Sequence, residues 1–158
     1  MKQKQIIITV PNKAKIPIVE LSVDSVNCFA FVDTGAETTV FDSEFIQANR
    51  IEALDTGNKI SFVGLNGEIG SIPVYKVEAT VVFPNSSDNT KETEIRGITS
   101  DLSAVTNHFK DTGDNITISC IIGSDTLSKL EAEIDYDKEV IRINNDISRK
   151  QKNRHNKS

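Results

Sequence analysis

A mostly β single domain with a few short helices is what this sequence predicts, on three observations. Short apolar or alternating runs recur along the chain, Asn66-Gly67 folds two of them onto each other, and the stretches with helical spacing are brief. The length agrees: 158 residues with 37% hydrophobic content suffice for one core, and a second full domain does not fit.

The elements follow in order. QIIITVP (5–11), IPIVELSV (16–23) and SVNCFAFVD (25–33) are short apolar or alternating runs that read as strands. NKISFVGLNGEIGSIPVYKVEATVVF (58–83) reads as two strands turning at Asn66-Gly67, the strongest short hairpin dipeptide. On its second arm Pro73, Tyr75, Val77, Ala79, Val81 and Phe83 share one face. Pro73 lacks an N–H for a ladder, so that stretch is expected at a sheet edge or projecting from it. PNSSDNTKETE (84–94) reads as an exposed loop, because no apolar residue follows its proline, and IRGI (95–98) as a short strand.

Brief helices are expected over 42–50, 100–109 and 124–132, with Asp or Ser at the capping positions of the first and third. The middle one places Leu102, Val105 and Phe109 on one face. AEIDYDKEVIRIN closes the domain as a hairpin turning near Tyr136-Asp137-Lys138. There is no internal repeat, so the halves are not tandem copies.

Charge and cysteine usage narrow the function classes. The net charge of −5 argues against a nucleic-acid-binding body. The last eleven residues carry five basic groups and no acid, which leaves the remainder near −10. We read 1–147 as the domain and 148–158 as a basic, disordered, solubilising tail. The apolar run before Pro11 is too short for a signal-peptide core or a membrane span, so the expectation is a cytoplasmic protein with no membrane partner. Cys28 and Cys120 form no C-x-x-C pattern; they read as buried free thiols, with no metal site and no cofactor. The glycosylation triplets at Asn85 and Asn115 carry no weight outside a secretory context.

Asp-Thr-Gly occurs three times. At Asp111-Thr112-Gly113 it follows the amphipathic stretch ending at Phe109, so Gly113 reads as a helix stop. Asp55-Thr56-Gly57 lies between a polar helix end and a strand and reads as a turn. A calcium loop at the third copy lacks the alternating carboxylates and the closing Glu that such a loop needs. Asp33-Thr34-Gly35 differs, because CFAFV before it is apolar without alternation, as in a strand buried on both faces, and apolar residues resume soon after. The expectation is a carboxylate delivered into the interior, where it must be paired, neutralised or functional.

FVDTGAETTVF resembles the active-site signature of the retropepsin-like aspartic proteases: apolar residues, Asp-Thr/Ser-Gly-Ala/Ser, then a Thr-Val/Ile-Leu/Phe run. Downstream, CIIGSDTLSKLEAEIDY is similar to that family's second signature, and FVGLNGEIG stands in the place of its glycine-rich flap. The resemblance covers about residues 5–143. It implies an all-β acid-protease barrel with one half-site per chain, here with an extra helical insertion around 100–113. It also implies a homodimeric aspartic endopeptidase in which Asp33 is catalytic and meets its own copy across a two-fold axis. In that arrangement Thr34, Gly35, Ala36, Ile121, Ile122 and Gly123 support the catalytic loop. Gly64, Leu65, Asn66, Gly67 and Ile69 form the flap that grips a peptide or protein substrate, and the terminal strands that join the dimer correspond to QIIIT and EVIRI. The alternative is a non-catalytic dimeric module that binds peptides or serves as a scaffold on the same fold.

Overall fold

The computed structural model describes residues 4–144; the basic tail at 148–158 lies outside the described residues. The described chain folds as β1 (Lys4–Ile8), β2 (Ile18–Val23), β3 (Val26–Val32), β4 (Val40–Asp42), α1 (Ser43–Ala48), β5 (Leu54–Val63) and β6 (Ile69–Val82). It continues as β7 (Glu92–Ser100), α2 (Ser103–Asp111), β8 (Ile118–Ile122), α3 (Ser124–Lys129), β9 (Glu133–Asp135) and β10 (Val140–Asn144). The fold is therefore mostly β with three short helices.

A seven-stranded sheet runs in the order β2-β3-β8-β4-β7-β6-β5, and a three-stranded sheet in the order β1-β10-β9. The position of β8 organises the site. It is inserted between β3, to which it is parallel, and β4, to which it is antiparallel, although β3 and β4 are neighbours in the chain. The loop 33–39 that joins β3 to β4 must therefore cross the end of β8.

Apolar patterning decides which faces meet. Cys28, Ala30 and Val32 of β3 enter the main core with Phe41, Cys120 and Ile122, while Phe29 and Phe31 pack against a second cluster built on Ile18, Leu102, Phe109 and Ile118. A strand covered on both faces has no use for polar alternation, which is the pattern CFAFV displays. Each fully buried large side chain, Phe41 among them, contributes about 1.5–3 kcal/mol relative to exposure. On β6 and just beyond, Val77, Ala79, Val81 and Phe83 are buried. Before Lys76 that strand pairs only with β5, so Pro73 lies on the projecting two-stranded part.

Helix α2 presents Phe109, and its N-cap residue Leu102, to the second core and is followed by Gly113 at φ 92, where Asp114 N–H donates to Phe109 O at 2.9 Å. Gly113 is thus the helix stop that the sequence suggests. Asp42 caps α1 by accepting from Phe45 N–H. Helix α3 departs from expectation: its cap is Gly123, and no side chain caps it. Asp125 instead turns back towards Thr39.

Two further readings need correction. Asp55-Thr56-Gly57 is not a turn ahead of a strand but a bulge inside β5, where the register to β6 shifts between Asp55 and Lys59 and Gly57 takes φ 77. The segment 84–94 is not a free loop throughout. Glu92 to Glu94 begin β7, and Asn85 to Ser87 bond to β1 through Ile8 N–H to Asn85 O (2.8 Å) and Ser87 N–H to Ile6 O (2.9 Å). The physical reason is edge protection: β1 has β10 on one side only, and polar loop backbone satisfies the other. The hairpin at 132–144 turns where expected, with Lys138 N–H on Asp135 Oδ1 at 3.0 Å.

Candidate active site

The loop 33–36 is the candidate site. Strand β3 ends at Val32, and Asp33 N–H donates to Ile122 O at 3.0 Å, which pins the loop's first residue to the end of β8. Gly35 N–H then donates to Asp33 Oδ1 at 2.9 Å and Ala36 N–H to Asp33 O at 3.2 Å. The second carboxylate oxygen, Oδ2, makes no hydrogen bond among the described residues. One oxygen is held and the other is free.

Asp33 is half-buried, and Thr34 and Gly35 are exposed. This corrects the expectation of a carboxylate delivered into the interior. The β3 strand is internal, but the loop surfaces at its end because a single chain provides nothing beyond it. The apolar flanks therefore locate the strand correctly and misplace the acid.

Behind the loop the contacts are tight. A Cβ on Gly123 would stand 2.8 Å from Ala36 O, Thr38 C and Thr38 O, all backbone atoms, so only glycine lets the loop cross β8 at this height. Ser124 N–H donates to Ala36 O at 2.7 Å. Ile122 is buried beneath and Ile121 packs against the second core. Of the residues expected to support the catalytic loop, Gly35, Ala36, Ile122 and Gly123 are thus in direct register with Asp33 or its neighbours. Thr34 instead points to open surface, beside a cleft of about 410 Å³ that it lines with Leu127, Ala132, Ile134 and Tyr136.

A buried polar network under this loop escaped the sequence reading. Thr39 is fully buried; its Oγ1 lies 2.8 Å from Asp125 Oδ1 and 2.6 Å from Thr126 Oγ1, and accepts Gly123 N–H at 3.1 Å. Thr39 N–H also donates to Asp125 Oδ2 at 3.1 Å, and Thr126 N–H to Asp125 Oδ1 at 2.7 Å. The network ties the far end of the loop to the start of α3 and leaves each of these groups partnered. Its only trace in the sequence is the second Thr of the AETTVF stretch, just ahead of an apolar pair, and an acid two residues after Gly123.

The two cysteines sit in the core behind the loop, unpaired and buried. Burial pushes the Cys28 thiol up to about 12 and holds Cys120 well above the ordinary thiol range. Both are protonated packing groups. No cluster of three or more metal-ligating side chains occurs among the described residues.

The second expected component, the β5–β6 hairpin, has its tip at 64–68. Gly64 N–H donates to Glu68 O at 2.7 Å, Gly67 N–H to Gly64 O at 3.0 Å, and Gly67 adopts φ 78. Asn66-Gly67 is thus the turn. Leu65, Ile69 and Val63 are among the most exposed apolar residues, at 109%, 83% and 74%. Ile69 shares the strand parity of the buried Val77, Ala79 and Val81, and Val63 stands opposite it in register, so both belong to the sheet's core-side face. No hydrogen bond joins the tip to the Asp33 loop among the described residues.

Within the chain the two terminal strands pair with each other: β1 lies against β10 over five residue pairs, from Lys4↔Asn144 to Ile8↔Val140. Among the described residues, no strand pairs with the outer edge of β9.

No family model and no curated protein matches the chain. Among solved structures it is similar to the EIAV protease complexed with the inhibitor HBY-793, with 18% identity over 80% of this chain and 99% of that one, at a TM-score of 0.49. It is also similar to a retropepsin-like aspartic protease from Rickettsia conorii, with 16% identity, 91% and 94% coverage and a TM-score of 0.48. A third is the retroviral protease-like domain of Ddi1 from Leishmania major, with 14% identity, 82% and 92% coverage and a TM-score of 0.48. The second is described as retropepsin-like and the third as retroviral protease-like. At these identities the likeness concerns backbone shape, and the chemistry has to be argued from the site.

Proposed function

We propose that this chain is one half of an aspartic endopeptidase, in which two Asp33 carboxylates from two copies activate a water molecule between them. The observation that carries this reading is the state of Asp33: its loop is braced from behind, one oxygen is tied to Gly35 N–H, and the other is free at a surface. An acid whose role was only to cap its own turn has no need of the glycine-tight crossing and buried network beneath it.

A two-fold axis brings identical residues together, which is how one acid per chain becomes a pair. Two carboxylates that close cannot both ionise and share one proton. The ionised member takes a proton from the water as the water oxygen attacks the peptide carbonyl carbon, and the protonated member gives its proton to the carbonyl oxygen. Collapse of the resulting diol returns a proton to the leaving nitrogen as the C–N bond breaks. No covalent intermediate forms.

Features beside Asp33 suit a partner copy. Thr34 is exposed at the edge of the cleft lined by Leu127, Ala132, Ile134 and Tyr136, an apolar surface next to the acid, and the open edge of β9 lies on the same side through Ile134. A second copy would cover both, pairing β9 with its counterpart. The β5–β6 hairpin then acts as a flap, with Leu65, Val63 and Ile69 set against an extended peptide and backbone groups of Gly64 to Gly67 available to it.

The test is cleavage of a diverse peptide mixture by wild type and Asp33→Asn, with the mass of each protein in solution measured alongside. Dimeric wild type that cleaves, beside an equally folded and equally dimeric variant that does not, supports the reading. Cleavage retained by Asp33→Asn overturns it, and inactive wild type with a dimeric mass points to the peptide-binding module instead.

A further inference from the structure

Away from Asp33, a cleft of about 330 Å³ lies where helix α1 meets the root of the β5–β6 hairpin. Its lining is mixed: Ile46 and Ile51 lie at the base, Ser43 and Gln47 of α1 add polar groups, and the walls are Ala53 ahead of the first hairpin arm, Tyr75 on the second and Thr99 at the end of β7. That volume sits at the lower end of the roughly 300–1,000 Å³ typical of small-molecule sites. The rim carries Arg50, an exposed residue with no carboxylate within ion-pair distance among the described residues.

Arg50 also holds an unfavourable backbone. It closes α1 at φ 54, donating its N–H to Gln47 O at 3.2 Å while Ile51 N–H reaches Ile46 O at 3.0 Å. Glycine is the residue that this helix-ending geometry favours, because a side chain there costs free energy. Arginine at this position gives up that advantage and places a cation beside an apolar floor.

We propose that this cleft binds a small amphiphilic carboxylate, its apolar body on Ile46 and Ile51 and its charge on the Arg50 guanidinium, and that the bound molecule braces the hairpin root against α1. The chemistry follows from the lining: the apolar groups of Ile46, Ile51, Ala53 and Tyr75 suit a carbon body, and the guanidinium at the rim suits a planar carboxylate. Bracing follows from the place, since the lining joins α1 to Tyr75 on the second hairpin arm, to Ala53 just ahead of the first, and to the end of β7. The site is separate from the Asp33 loop, and its occupancy does not depend on proteolysis.

The test uses the full chain and 3-phenylpropionate as the probe, with neutral 3-phenylpropanamide as its control. Binding is followed by amide NMR shifts, and hairpin motion by hydrogen exchange. Arg50→Gly removes the guanidinium at a position whose backbone suits glycine, so the variant folds. The expected result is shifts at Ile51, Ala53, Tyr75 and Thr99, affinity at least about tenfold weaker in Arg50→Gly, and slower exchange along the hairpin arms of wild type when the probe is bound. A fatty acid and a peptide with a free C-terminal carboxylate, tried in parallel, separate two sources of the same chemistry. Equal binding by wild type and Arg50→Gly, equal binding of the amide, or shifts elsewhere overturns the site; unchanged exchange overturns the bracing.

Discussion

Two Asp-Thr-Gly triplets in this protein make the same local bond: Gly35 N–H donates to Asp33 Oδ1 at 2.9 Å, and Gly57 N–H to Asp55 Oδ1 at 2.9 Å. Their surroundings have little in common. The first lies on a loop pinned to β8, crossed under by Gly123 and backed by the Thr39–Asp125–Thr126 network. The second is a bulge in an exposed edge strand, where Gly57 sits at φ 77 and nothing approaches within 4 Å of its missing Cβ. The triplet alone sets a short turn of backbone around an acid. Whether that acid can do chemistry depends on what holds the turn still.

The sharpest way to break this contrast is to amidate both acids. Asp33→Asn should lower peptide cleavage by about 10²–10⁴-fold, the range for loss of general acid–base function, while Asp55→Asn leaves the rate unchanged. Initial rates on one peptide pool, with melting curves for both variants, decide it; equal losses would mean that the triplets do not differ in role.

Next in size is the glycine under the loop. Gly123→Ala forces a Cβ into three backbone atoms at 2.8 Å and should cost more than about 3 kcal/mol in urea unfolding. Gly57→Ala meets open space and suffers only its positive φ, so about 1 kcal/mol is expected. A larger loss at Gly57 than at Gly123 would reverse the ranking of the two regions.

Thr39→Val keeps the volume and deletes the hydroxyl, which strands the Gly123 N–H and takes from Asp125 one of its three partners. It should cost about 1–3 kcal/mol and, because it loosens the loop, also slow cleavage. Thr56→Val removes only the exposed bonds to Val74 O and from Asn58 N–H and should be close to neutral.

The smallest effect is in alkaline solution. The native Cys28 thiol ionises only at about 12 and its unfolded form near 9.0, so the folded chain binds the extra proton between these values. Stability is fully present below about 9.0 and is lost as pH rises towards about 12. Cys28→Ala should reduce that slope, read from urea midpoints across the window. An unchanged slope would place the thiol outside the packing behind the Asp33 loop.

Much of the site was legible from residue order. The Asn66-Gly67 turn, the Gly113 helix stop and the double burial of β3 each rest on one or a few adjacent residues whose backbone preference or apolarity is strong. The bulge at Asp55 was not legible, because a turn and a bulge call for the same glycine. Nor was the start of α3, where Asp125 accepts both from Thr126 N–H of its own helix and from a threonine 86 positions earlier.

Local chemistry therefore lies in the chain as written: which segments extend, where they turn, and that an acid is followed two residues on by a glycine whose N–H can donate to it. Those properties depend on neighbours a few residues apart. The exposure of Asp33, the absence of space at Gly123 and the Thr39 network depend on β8 entering between β3 and β4, which joins segments about ninety positions apart. No local preference encodes that insertion; it follows from which apolar faces bury each other best, and folding settles it for the whole domain at once.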